Sequence, residues 1–308
     1  MNENRLFSMH YFLRAVILLG FSSYIVYLVK TDFLQYYIAP RMMIFVKGSA
    51  IVLYIVACFQ GYSAFRAYGG KRMACGCEQK ASRSSFRNIV SYGLLIFPLL
   101  VGFLLPDSLM GSSMASAKGM NLSAANTTIS KRSAVPANEA EISSSAQASS
   151  GNEKNDSELE KMFHDEWEPV LSKIGMWLYK KDFIDVKPPL YKEILSTIDL
   201  FKNHFVGRKI EISGFVYRET NMKSSQFVVG RFVINCCSSD AMPYGAMIDF
   251  PEAQNYTKDT WVKVTGTIQS GSYNGKDIFM IKADQIEKIA VPETPYLHAN
   301  YDPLKELD

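Results

Sequence analysis

Residues 209–218 read KIEISGFVYR, and this stretch decides how the C-terminal half folds. Apolar Ile210, Ile212 and Val216 alternate with Lys209, Glu211 and Ser213, the period of a strand with one face buried. The same alternation returns at 226–235, 246–250, 261–269 and 278–286, with turn residues between the runs. Gly214 and Gly266 fall inside two of these runs, where a coiled strand bends or another backbone approaches closely. Five such strands predict a small closed Greek-key barrel of the OB type over about 208–287.

Upstream of the barrel the period is helical. Phe163, Trp167, Val170, Leu171, Ile174, Trp177 and Leu178 share one face and predict a helix over about 159–180. Ile194, Leu195, Ile198 and Phe201 predict a second over about 190–203. Residues 158–308 are therefore expected to form an α+β domain. Before it, residues 111–157 are rich in Ser, Ala, Asn and Thr and nearly lack aromatics, which predicts a disordered tether.

Residues 1–110 have a different character. Apolar runs at about 12–29, 42–62 and 89–105 are expected to be three membrane spans, the third kinked at Pro98. The first run lacks a small-x-small cleavage site, so it reads as a retained span rather than a signal peptide. Between the first two runs, FLQYYIAP at 33–40 places Tyr36 and Tyr37 where interfacial aromatics belong. Lys47 lies near enough to a span end to extend its ammonium to the headgroups. The loop after the second run carries Arg66, Lys71, Arg72, Lys80, Arg83 and Arg87 against Glu78 alone. That excess predicts a cytoplasmic loop, a cytoplasmic N-terminus and an extracytoplasmic C-terminal domain in a multi-pass cell-membrane protein. A formal net charge of +3, with basic residues clustered beside the spans, argues against a nucleic-acid partner.

The candidate chemistry lies in 231–243, RFVINCCSSDAMP, where a strand runs into adjacent thiols at Cys236 and Cys237 followed by Asp240. Successive residues of a strand point to opposite faces, so both thiols share a site only if the strand ends there. Three readings are open. A thiol packs as a small hydrophobe; Cys236, Cys237 and Asp240 hold Zn²⁺ or another soft or borderline metal; or the thiols do redox chemistry. Cys75 and Cys77 form a weaker candidate pair, since two sulfurs do not complete a tetrahedral site. His164, His204 and His298 show no ligand spacing. The phosphate loops, dinucleotide fingerprints, nucleophile elbows and zinc-protease helices of common enzymes are absent from the sequence, so a non-enzymatic role is expected.

Taken together, the N-terminal apolar runs, the CGC loop at 75–77, the low-complexity tether, GRKIEISGFVYR, RFVINCCSSDAMPYG and DTWVKVTGTI resemble the YcgQ-like family of predicted permease subunits. The resemblance covers essentially the whole chain and implies a bilayer-embedded protein paired with a separate multi-span permease. The chain is therefore expected to be an accessory, non-enzymatic subunit whose outer domain gates the permease or presents a solute such as a metal ion. The alternative is a membrane-anchored thiol redox or metal-binding protein that acts without a permease.

Overall fold

The computed structural model describes residues 3–69, 85–104, 109–122 and 156–307. One compact unit comprises the chain up to Ser108 together with Cys236–Ser239, and the second comprises Leu109–Asn235 and Asp240–Asp308. In the first, α1 (Glu3–Lys30) and α3 (Pro40–Tyr68) are joined through the single turn α2 (Leu34–Tyr37), at the place expected for an interfacial segment. Pro40 opens α3 at a position where its missing N–H is not needed.

α1 and α3 pack closely because α3 offers Ala50, Ala57 and Ala64 as buried small residues one heptad apart. The Ser22 hydroxyl donates to Ala50 O at 2.8 Å and the Ser8 hydroxyl to Ala64 O at 2.9 Å. A further helix, α4 (Ser85–Leu104), contains Pro98 and packs on α1. A Cβ at Gly20 would lie 2.6 Å from Leu99, and one at Gly102 would lie 2.9 Å from Tyr24.

Two helical stretches, Ser8–Lys30 and Pro40–Tyr68, are long and apolar enough to cross a membrane. Their apolar side chains face outward, with Phe45 69% and Phe65 78% exposed, unlike the core helix of a soluble protein. The expected count of three spans is not supported. The apolar part of α4, Asn88–Leu104, reaches only about 26 Å at helical rise, against a hydrocarbon core of about 30 Å. Leu105 and the Cys75/Cys77 loop lie outside the described residues.

The second unit starts with α5 (Ser112–Lys118). After it come α6 (Asp156–Met162), α7 (Pro169–Tyr179), β1 (Phe183–Asp185), α8 (Tyr191–Leu200) and α9 (Lys202–Phe205). Residues 159–180 are thus not one helix. Asp165 accepts the N–H groups of Trp167 and Glu168 at 2.9 and 3.0 Å, and Pro169 begins the next helix, leaving Trp167 76% exposed in the break.

The strands are β2 (Lys209–Tyr217), β3 (Gln226–Ile234), β4 (Met242–Asp249), β5 (Trp261–Tyr273), β6 (Lys276–Lys288) and β7 (Leu297–His298). β2 pairs with β5 and, past Gly214, with β3; β3 pairs with β4, β4 with β6, and β6 with β5. The ring closes, giving a five-stranded barrel, with β4 and β6 its parallel pair. Gly214 sits where β2 turns from one neighbour to the other, its missing side chain admitting the Gly230 carbonyl. Gly266 lies at a bulge between β5 and β6. Ile174, Leu178, Ile194 and Ile198 of α7 and α8 are buried with Ile210, Val229, Ile248 and Val264 of the barrel in one core.

Residues 111–122, assigned to the tether by composition, belong to this unit, which begins at Leu109. Ala115 is fully buried, and Asn121 forms a bridge to Tyr244 of β4. The rest of the expected tether, 123–155, lies outside the described residues.

Candidate functional site

β3 is buried at every position and stops at Ile234. Beyond it the chain leaves the sheet through Asn235–Cys237, makes a 3-10 turn at Ser238–Asp240 and re-enters as β4 at Met242. The loop closes on itself because the Asn235 N–H donates to Asp240 Oδ1 at 3.0 Å. At the base of β3 the C-terminal segment runs alongside, with Ala299 N–H on Ile234 O at 3.0 Å and the Tyr301 hydroxyl on Asn235 O at 3.1 Å.

Leaving the strand removes the alternation that would separate adjacent side chains. Cys236 Sγ and Cys237 Sγ lie 3.7 Å apart, far beyond a disulfide bond length of about 2.05 Å. The two sulfurs and an Asp240 carboxylate oxygen all fall within 4.8 Å of one another, with Cys236 exposed and the other two half-buried. Two thiolates on a tetrahedral Zn²⁺, each at about 2.3 Å, stand about 3.8 Å apart, so the sulfur spacing suits that ion. Three such ligands would leave the fourth tetrahedral position open.

The histidines do not join this set among the described residues. His204, on α9, is exposed, with its ring 5.3 Å from that of Phe163. His164 lies in the break between α6 and α7. His298 pairs in register with Ile234 on β7, and burial lowers its pKa.

Two clusters carry charge or phenols that composition did not reveal. Arg231, 3% exposed, donates through Nε to Pro295 O at 3.4 Å and through Nη2 to Thr294 O, and its Cζ lies 5.4 Å from the Trp261 ring centroid. Burial pulls the guanidinium below its usual pKa. At the barrel rim, Glu219 accepts the Tyr217 hydroxyl at 2.8 Å and the Tyr273 hydroxyl at 2.6 Å, joining the β2–β3 loop to the β5–β6 hairpin. Burial, reinforced by the Glu219 carboxylate, pushes both phenols up to about 12. Arg231 inside an apolar strand was a visible signal of a buried charge; the spacing of Glu219 and Tyr273 was not.

Comparison with known proteins bears on the whole chain. A model described as the DUF1980 N-terminal domain matches residues 13–121, and one described as the DUF1980 C-terminal domain matches residues 163–299. The Bacillus subtilis (strain 168) "UPF0703 protein YcgQ" is 23% identical over 218 residues, covering 70% of each chain. The chain belongs to the YcgQ-like family. A Streptococcus mutans relative named "Putative two-component membrane permease complex subunit" is 27% identical over 217 residues, 67% of this chain and 72% of its own. The N-terminal YcgQ-like match runs through α5 to Asn121, and the matched regions leave out 122–162.

Proposed function

We propose that this YcgQ-like chain is a non-enzymatic accessory subunit of a membrane permease, and that its barrel domain captures a soft or borderline metal ion at Cys236, Cys237 and Asp240. The permease role takes its support from the name of the Streptococcus mutans relative and from two apolar helices whose outward faces suit lipid or other spans. α4 then serves as a third, short span, tilted little and matched by local thinning of the bilayer. The basic loop after α3 faces the cytoplasm and the OB-type barrel lies outside the cell.

The single observation that carries the metal reading is the 3.7 Å sulfur pair with Asp240 beside it. Thiolates are the form that binds, so capture releases protons and strengthens as pH rises. A bound ion is presented to the permease by ligand exchange at the fourth position.

Elemental analysis of the purified full-length chain, beside a Cys236→Ser, Cys237→Ser variant, tests the site. Zinc in the first and not in the second is expected; equal content in both removes the metal reading. Rapid alkylation that Zn²⁺ does not slow would instead favour the redox alternative. Pull-down from native membranes tests the partner, and recovery of no multi-span protein would overturn the accessory role.

A further inference from the structure

The segment Leu109–Leu122 is held on the barrel at both ends. At its start, Asp259 Oδ1 accepts the Ser112 N–H at 2.6 Å and lies 2.8 Å from the Ser112 hydroxyl. The Met110 N–H meets the Tyr296 hydroxyl. At its end, Asn121 N–H donates to Pro243 O at 3.0 Å and Asn121 O accepts Gly245 N–H at 3.1 Å. Between them Lys118 Nζ donates to Ala241 O at 2.7 Å. Gly230 and Gly245 face one another across β3 and β4 and leave a flat patch there. A Cβ on Gly230 would lie 3.1 Å from Met120 Cε and 2.9 Å from Tyr244 O.

The acceptors for this strap are not scattered. Ala241 and Pro243 lie one and three residues after Asp240, so Lys118 and Asn121 grip the C-terminal foot of the thiol loop. The N-terminal foot, Asn235, is tied to that same Asp240. In sequence the strap follows α4 after residues 105–108 alone.

We propose that the strap Leu109–Leu122 regulates the thiol loop: docked, it fixes the Asp240 foot and holds the donor set together; undocked, it releases that foot. The metal-bound state of this inference rests on the capture reading above. Linkage makes the effect reciprocal, so an ion held by the loop strengthens strap docking, and a force that lifts the strap weakens the ion's hold.

The test uses the full-length chain in detergent and the variant Ser112→Ala, Lys118→Ala, Met120→Asp, which leaves every barrel residue intact. Three quantities are read: hydrogen exchange at the Asn121 and Gly245 amides, alkylation rates of Cys236 and Cys237, and Zn²⁺ affinity by competition with a chromophoric chelator. The variant is expected to exchange faster at both amides, to alkylate at least about 5-fold differently at one thiol, and to bind Zn²⁺ at least about 5-fold more weakly. Zn²⁺ is expected to slow exchange at both amides in the unaltered chain. Freely exchanging strap amides with unchanged alkylation and unchanged Zn²⁺ affinity would overturn the coupling while the capture reading stands. An unaltered chain that binds no Zn²⁺ would sink the capture reading, and the alkylation rates alone would then decide the coupling. Should the triple variant keep its amides protected, Gly230→Leu, which obstructs the patch from the barrel side, is read in the same way with near-UV circular dichroism as the fold control.

Discussion

Ser112 and Asp259 stand 147 positions apart, yet one carboxylate oxygen takes both the N–H and the hydroxyl of the serine. The residue before α5 is Gly111, which has no side chain to cap the helix, so the β4–β5 loop supplies the cap from a distance. Asp259 does so from φ +66°, a conformation that asparagine also tolerates. Asp259→Asn therefore keeps the backbone and removes the charge from the helix N-terminus. Its expected cost is about 0.5–1 kcal/mol, seen as a lower midpoint in thermal melts of the full chain. An unchanged midpoint would mean that the carboxylate contributes nothing to docking.

Gly266 makes a second, sharper case. A Cβ there would meet the Lys282 carbonyl and lie 2.7 Å from Ile281 Cγ2 and 3.0 Å from the Ala283 Cα, at the bulge that lets β5 and β6 coil. Backbone cannot retreat as a flexible side chain can. Gly266→Ala is expected to lose about 1–3 kcal/mol by denaturant titration. Gly61→Ala, with nothing within 4 Å of the new methyl, is the control expected to lose none.

How much of this was legible in the sequence depends on which force shaped each element. The barrel strands announce themselves because burial on one face imposes a two-residue period on Ile210, Ile212 and Val216. That period fails beyond Ile268, where Ser270 and Ser272 are exposed, so the hairpin from β5 to β6 looks shorter in sequence than it is. β1 and β7 are too short to show any period. The strap is harder still. Its hold comes from backbone groups, one lysine and a carboxylate remote in sequence, while its own Ser and Ala residues match the composition of a tether. The pairing of Cys236 with Cys237 was conditional on the strand ending, and where β3 ends depends on its partners β4 and β7.

Arg231 is expected to be costly to truncate. It is buried beside Trp261 and supplies donors to the Thr294 and Pro295 carbonyls, which hold the segment leading into β7. Arg231→Ala leaves those carbonyls without their donor and opens space against the indole, for an expected loss of about 2–4 kcal/mol in urea unfolding. Arg231→Lys keeps the charge but not the planar fork, and is expected to fall between the two. Equal stability of the alanine variant and the unaltered chain would sink this account.

His298 gives the barrel domain a pH dependence of predictable sign. Burial disfavours the charged imidazole, so its folded pKa lies below the ordinary 6.5 and the ring is neutral in the folded chain at pH 7. The unfolded chain takes up its proton first as pH falls. Stability from this group is therefore complete above about pH 6.5 and declines as pH drops below it, until the folded pKa is passed. Thermal melts from pH 8 to pH 5 are expected to show that decline in the unaltered chain and a shallower one in His298→Asn, whose side chain does not titrate. Because His298 pairs with Ile234 at the foot of the thiol loop, acid should also speed alkylation of Cys236 relative to its thiolate fraction. Parallel melting profiles for the two chains across this range would show that the imidazole is equally solvated in both states.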